Sequence, residues 1–278
     1  MASRSRVIEP SSPRQPNRLF AGYIFDLDGT IYLGDELLPG ARRLIETLVS
    51  LDRKILYLSN NPTRSPDEYV AKLTRLGIPA REPQVLNTVA TMVGWLVRHH
   101  PAATVFPISE APLKRALSDA GIRMSEDPSQ IDIVIASYDR SFDYRKLQIA
   151  FDAIRTHGRA RLVATNPDRY CPFPHGRGEP DAAAIVGAIE GCTGVRCERH
   201  TGKPDPYMLE AALGRLALTA KDCVMVGDRL STDIRMAIDA RMASALVLTG
   251  ETTPEMVATL APEDRPVWVL DRIDELVG

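Results

Sequence analysis

From residue 20 onward, apolar residues fall into two kinds of run that take turns along the chain. Short continuous runs, "YIF" before Asp26, "KILYLS" at 54–59 and "DCVMVG" at 222–227, read as strands buried on both faces. Runs with helical spacing separate them. Residues 40–52 place Leu44, Ile45, Leu48, Val49 and Leu51 on a helical period, and "SPDEYVAKLTRLG" carries a capping box in Ser65 and Glu68, with Pro66 in the first turn and Gly77 at the stop. A further helix is predicted over 87–99, closed by Pro101. The same grammar resumes near the end of the chain. There "DPYMLEAALGRLAL", "TDIRMAIDA" and "TPEMVATL" read as helices, "ASALVLTG" as a strand, and "PVWVLDRIDEL" as a strand with a short helix after it. Alternating strands and helices predict an α/β fold, a doubly wound parallel sheet with helices on both faces.

Between these ends, residues 101–199 hold their own set: strands "TVFPI", "DIVIAS" and "ARLVATN", and helices "APLKRALSDAG", "YRKLQIAFDAIRTHG" and "AAAIVGAIEG". The stripe of Leu113 and Leu117, with Ile122 beyond, reads as core. The longest irregular stretch is "PDRYCPFPHGRGEPD" at 167–181, and a loop of that length is usually functional or disordered. Residues 1–18 are rich in Ser, Arg and Pro, lack the apolar stretch of a secretory signal, and read as a disordered tail. The expected division is a tail at 1–18, one unit from 19–100 and 200–278, and an inserted unit at 101–199.

Composition narrows the function without naming it. A formal net charge of -2 gives no basic field for nucleic acid or an anionic membrane, and no stretch approaches the ~20 apolar residues of a span. Cys171, Cys192, Cys197 and Cys223 form no CxxC pair, which suits a reducing cytoplasm.

The chemistry begins with "DLDG". An aspartate doublet before a glycine is ordinarily a turn, yet Asp26 and Asp28 stand at the end of a greasy strand, where two close carboxylates repel. Two other strands end in polar groups: Ser59 with Asn60, and Asp228. "GKPDP" adds Lys203 at a helix start, and "GDRLSTD" adds Asp233 at another. Ligands bind at the carboxyl ends of strands in doubly wound sheets. Gathered there, the carboxylates suit a hard cation such as Mg²⁺, while Lys, Ser and backbone N–H groups suit a phosphate. Taken singly, Lys203 reads as a surface lysine, Ser59 and Asn60 as caps, and Asp233 as a helix-start acid. Only their joint order changes that.

"DLDGT", "LSNN", "GKP" and "GDRLSTD" resemble the four ordered motifs of the haloacid dehalogenase superfamily. "LSNN", the long middle insertion and "ATNPD" resemble its phosphatases with a large type 2 cap, the NagD-like and p-nitrophenylphosphatase-like group. The likeness covers about residues 20–275. It implies a Rossmann-like core with a cap domain at 101–199, a magnesium cofactor, and a small phosphorylated metabolite as substrate, with a homodimer through the cap left open. By resemblance, Asp26 is the nucleophile and Asp28 the general acid and base, its backbone carbonyl also ligating the metal. Ser59 binds a phosphoryl oxygen and Asn60 supports the loop. Lys203 balances charge on Asp26 and the phosphoryl group, while Asp228 ligates the metal and Asp233 orients it.

"ATNPDRY" and "VGAIEG" further resemble the sugar-phosphate phosphatases of arabinose operons, which points to sugar phosphates. Asn166, Asp168 and Arg169 are expected to meet the leaving group from the cap loop 166–181. Asp181 reads as a helix N-cap that could also approach substrate. His175 reads as solvent-facing, and Cys171 and Phe173 are undecided. Three competing readings stand beside a phosphatase: a phospho-signalling switch, which has no use for the acid at Asp28; a dehalogenase proper, for the same reason; and a phosphomutase, which would keep that acid.

Overall fold

Tyr23, Ile24 and Phe25 occupy strand β1 (Gly22–Asp26), and their side chains leave it in opposite directions. The computed structural model describes residues 16, 18–173 and 176–277. His175 and nearly all of the N-terminal tail lie outside the described residues. After β1 come a small antiparallel hairpin, β2 (Tyr32–Leu33) and β3 (Glu36–Leu37), then α1 (Ala41–Ser50), β4 (Lys54–Ser59), α2 (Pro66–Arg75), β5 (Val85–Asn87) and α3 (Thr88–His99). A second set follows: β6 (Thr104–Ile108), α4 (Ala111–Asp119), β7 (Arg123–Met124), β8 (Ile133–Ala136), α5 (Tyr144–Phe151), β9 (Arg161–Ala164), β10 (Tyr170–Phe173), β11 (Arg177–Pro180), α6 (Ala182–Thr193) and β12 (Arg199–His200). The chain closes with α7 (Pro206–Leu216), β13 (Cys223–Gly227), α8 (Arg235–Asp239), β14 (Ala243–Val247), α9 (Pro254–Ala258) and β15 (Trp268–Leu270).

Two parallel sheets result. The first runs β15-β14-β13-β1-β4-β5 and the second β12-β9-β8-β6-β7. Each is covered on both faces. In the first sheet Tyr23, Phe25, Tyr57 and Val226 pack on Leu44, Leu48 and Leu73 of α1 and α2, while Ile24, Leu56 and Met225 pack on Met208 and Ala212 of α7. Burial on both faces is why these strands read as unbroken apolar runs. Fully burying one such side chain stabilises the fold by ~1.5–3 kcal/mol.

Four details depart from the sequence reading. Val49 is exposed and Leu51 lies just past the end of α1, also exposed, so the buried stripe is Leu44, Ile45 and Leu48. Asn87 ends strand β5 and caps α3, its side chain accepting from the Ala90 N–H at 3.1 Å. Helix α3 then packs Met92, Trp95 and Leu96 against Val105, Ile133 and Leu117, joining the second sheet before residue 101. Finally, most of the stretch expected to be irregular forms the antiparallel ribbon β10–β11, pairing Tyr170 with Pro180 and Phe173 with Arg177. Pro172, Pro180 and Gly178 disguise it in sequence. Both strands of a two-stranded ribbon are edges, where proline is tolerated.

The chain leaves the first sheet at Thr88 and returns to it through Thr201 and Gly202. These crossings touch: a Cβ on Gly202 would stand 2.6 Å from both the Asn60 Oδ1 and the Thr88 Cγ2, and 2.7 Å from the Thr165 carbonyl oxygen. Three rigid neighbours leave no room for a methyl group. Gly202→Ala is therefore expected to cost ~1–3 kcal/mol by overpacking, read as a lower urea midpoint; an unchanged midpoint would show that the crossings can spread.

Candidate active site

Strands β13, β1 and β4 are neighbours and parallel, so Asp228, Asp26 and Ser59 emerge at the same edge of the sheet. The chain turns sharply after Asp28. Gly29, at φ +91°, donates its N–H to the Tyr32 carbonyl at 2.8 Å, and a Cβ there would meet the Asp228 Oδ2 at 2.6 Å. Glycine alone permits both the turn and the contact. Gly250 supplies the close approach alone from the opposite side, in the loop whose Glu251 N–H donates to the Asp228 Oδ2 at 2.7 Å.

Carboxylate oxygens of Asp26, Asp228 and Asp233 lie within 4.8 Å of one another, all buried. Lys203 is 2% exposed, with its Nζ 2.5 Å from the Asp26 Oδ1 and 2.7 Å from the Asp233 Oδ1. Burial alone would lower the pKa of that ammonium, but the carboxylates of Asp233 and Asp26 hold it well above the ordinary value. Asn60 fixes the lysine backbone on both sides, accepting from its N–H at 2.7 Å and donating to its carbonyl at 3.0 Å. The Ser59 hydroxyl accepts from the Asn61 N–H at 3.2 Å and pairs with the Tyr69 hydroxyl at 3.1 Å.

One ammonium does not neutralise this cluster. Burial, then the Asp26 and Asp233 charges, push Asp228 well above the usual carboxylate range, and burial lifts Asp233 to about 6 against the pull of Lys203. Asp28 is raised by burial and by Asp26, with Lys72 opposing. The Asp228 Oδ1 is buried and has no hydrogen-bond partner among the described residues. An orphaned carboxylate oxygen facing two others fits a hard divalent cation.

The expected cap residues behave differently. Asn166 is sealed: its Oδ1 accepts from the Thr165 hydroxyl, and its amide donates to Asp168 at 2.9 Å and Asp181 at 3.1 Å. Asp168 is spent on donors, taking Asn60 at 2.9 Å, Asn166, and the Arg229 guanidinium at 2.7 Å. It ties the two sheets' units together rather than offering itself to a hydroxyl. Arg169 is exposed and lines a separate cavity of about 590 Å³ beyond the Asp168–Arg229 pair. The catalytic pocket keeps about 30 Å³ of free space, room for a water or two. Asp181 lines it and caps α6, accepting from the Ala182 N–H at 2.6 Å, and Cys171 lines it too. Sequence reasoning missed Arg229, which also pairs with Glu251 at 3.0 Å; its signal was its place inside "GDRLSTD".

Comparison with known proteins gives the family. Residues 23–123 match the model of the haloacid dehalogenase-like hydrolases, and 200–276 match a second model of the same kind. The sugar-phosphatase AraL of Bacillus subtilis is 34% identical over 256 residues, 92% of each chain. The acid sugar phosphatase of Staphylococcus haemolyticus is 34% identical over 236 residues, 85% of this chain and 88% of its own. Among solved structures, 4-nitrophenylphosphatase from Thermotoga maritima superimposes with a TM-score of 0.85 at 31% identity, covering 92% of this chain and 95% of its own. The p-nitrophenyl phosphatase of Archaeoglobus fulgidus gives 0.83 at 29%, covering 92% and 97%. The chain belongs to the haloacid dehalogenase-like hydrolases, as a phosphatase with a cap. Among the described residues, no helix is long and apolar enough to cross a membrane.

Burial and the neighbouring Asp168 lift the Asp181 carboxyl to about 7, from an ordinary 3.8. An acid whose folded pKa exceeds its unfolded one takes up a proton on folding, so its contribution to stability falls as pH rises from about 4 to about 7. At ~1.36 kcal/mol per unit the loss is at most ~4 kcal/mol. Asp181→Asn keeps the helix cap without that loss. The variant's urea midpoint is expected to exceed the parent's more at pH 8 than at pH 5.5; an equal difference at both would contradict the assignment.

Proposed function

We propose that this phosphatase hydrolyses small phosphorylated metabolites of the sugar-phosphate class, with Mg²⁺, through an aspartyl-phosphate on Asp26. The observation that carries the reading is Lys203, buried between Asp26 and Asp233 at the sheet edge where Asp228 leaves a carboxylate oxygen unpartnered.

In this mechanism Lys203 holds the Asp26 Oδ1, and the Oδ2 attacks phosphorus as the ester P–O bond breaks. Asp28, whose carboxyl pKa is raised by burial and by Asp26 against the pull of Lys72, gives its proton to the departing alkoxide. As a carboxylate it then takes a proton from water, whose oxygen attacks phosphorus and frees Asp26. Ser59 and Lys203 receive the phosphoryl oxygens. Asp26, Asp228 and the Asp28 carbonyl would hold the Mg²⁺ with Asp233 behind them, and the bound ion would supply positive charge to the transferring group. Proton transfer alone contributes ~10²–10⁴-fold, so charge neutralisation and alignment carry most of the acceleration that phosphate monoesters require.

The sugar-phosphate assignment draws on the named activities of the Bacillus and Staphylococcus relatives. A reducing cytoplasm is supported by four free cysteines. A phospho-signalling switch is disfavoured by the acid at Asp28, which shortens the life of a phosphoaspartate.

Repeated turnover of p-nitrophenyl phosphate by the purified protein tests the reading. Asp26→Asn is expected to lower kcat at least ~10³-fold with an unchanged circular-dichroism spectrum. Retention of more than a few per cent of activity would move the nucleophile elsewhere. Exhaustive chelation is expected to abolish turnover and added Mg²⁺ to restore it, whereas full activity after chelation would overturn the metal assignment.

A further inference from the structure

The catalytic pocket has a floor and a roof of different origin. The floor is Asp26 and Ser59 at the ends of β1 and β4, Asp28 in the turn after β1, and Lys203 in the segment before α7. Beyond the proton that Asp28 gives the alkoxide, these groups address the phosphoryl group. A leaving alcohol must therefore meet the roof that the inserted unit contributes, which among the described residues is Asp168, Cys171, Pro172 and Asp181, with Asn60, Asn61, Arg229 and Thr232 completing the walls.

The roof has little left to offer. Asp168 already accepts from Asn60, Asn166 and Arg229. Cys171 is a buried neutral thiol, its pKa raised to about 12 chiefly by burial, and thiols bond weakly. Pro172 brings no side-chain polar group. Asp181 is different. Its Oδ1 is committed to the Ala182 N–H and the Asn166 amide, which fix the carboxyl in place, while its Oδ2 has no partner among the described residues. The residue is 3% exposed and lines the pocket, so that free oxygen is reached only from the pocket side.

We infer that Asp181 is a specificity-determining residue, its free Oδ2 pairing with a hydroxyl of the leaving group, so that polyhydroxylated phosphate esters are preferred over plain alkyl ones. The inference rests on the phosphatase reading above and adds the group that reads the alcohol. A carboxyl fixed through one oxygen by two donors presents its other oxygen as a pre-organised acceptor. An alcohol without a matching hydroxyl leaves it unpaired, which is how a polar site rejects such a substrate. Burial and Asp168 also raise the Asp181 pKa, so near neutrality the protonated form can donate to a hydroxyl oxygen as the ionised form accepts.

The test compares ribose 5-phosphate and glycerol 3-phosphate with n-propyl phosphate, whose leaving alcohol lacks the extra hydroxyls. The parent is expected to prefer at least one hydroxylated ester. Asp181→Ser retains a helix-capping oxygen and removes the free one. It is expected to lower the ratio of kcat/KM for that ester over n-propyl phosphate by ten- to a hundredfold. Asp181→Asn keeps both the cap and the side-chain length, and its ratio is expected to fall between. It decides the matter if the serine variant fails to fold. A parallel fall on all esters, or an unchanged ratio, would overturn the inference. Failure of the parent to turn over any of the three esters or p-nitrophenyl phosphate would instead sink the phosphatase reading itself.

Discussion

Four carboxylates drawn to one sheet edge are a liability, and the rest of the site is arranged around their repulsion. Asp26, Asp28, Asp228 and Asp233 are held together by a backbone that has no freedom to separate them, and Lys203 is the ammonium buried among them. The fold meets part of the deficit with Lys203 and part with backbone donors such as the Glu251 N–H. The remainder shows as raised carboxyl pKa values and an orphaned oxygen. A site left electron-rich in this way is prepared for a cation and, through that cation and Lys203, for an anion. Repulsion that would weaken an ordinary core is here the basis of recognition.

The location of that edge could be read from the sequence, because each of its groups sits where a periodic apolar run stops. Strand-end Asp26 and Ser59, the turn at Asp28 and the helix approaches at Lys203 and Asp233 are local events, and local patterning carries them. The roof was not legible in the same way. Asp168 looked available for substrate because its partners stand 108 and 61 residues away, at Asn60 and Arg229. Asn166, by contrast, is engaged by near neighbours, Thr165, Asp168 and Asp181. The ribbon β10–β11 was hidden by prolines and glycines that signal loops, although an isolated ribbon tolerates both. Long-range hydrogen bonding, unlike apolar periodicity, leaves no period to read.

Arg229 and Asn60 show how one motif can serve two ends. Asn60 holds the backbone of Lys203 and also donates to Asp168, while Arg229 follows Asp228 directly and closes on the other oxygen of Asp168. Residues beside the catalytic groups thus grip the inserted unit, and the placement of the roof is referenced to the floor within a single hydrogen-bond network. Asp181 inherits that reference through Asn166.

The touching crossings at Thr88 and Gly202 have a consequence for how such a protein can diversify. Because the insertion departs and rejoins at one spot, the first sheet is blind to the length or shape of what lies between. A loop of chain with coincident ends can be lengthened, trimmed or exchanged without altering strand order or register beneath it. The sheet that carries Asp26, Ser59 and Asp228 and the unit inserted at 88–200 are therefore separable modules. On the division of labour proposed above, new alcohols can be explored by editing residues 88–200 while the strand-end groups stay fixed, provided the replacement offers Asn60 and Arg229 a carboxylate to hold.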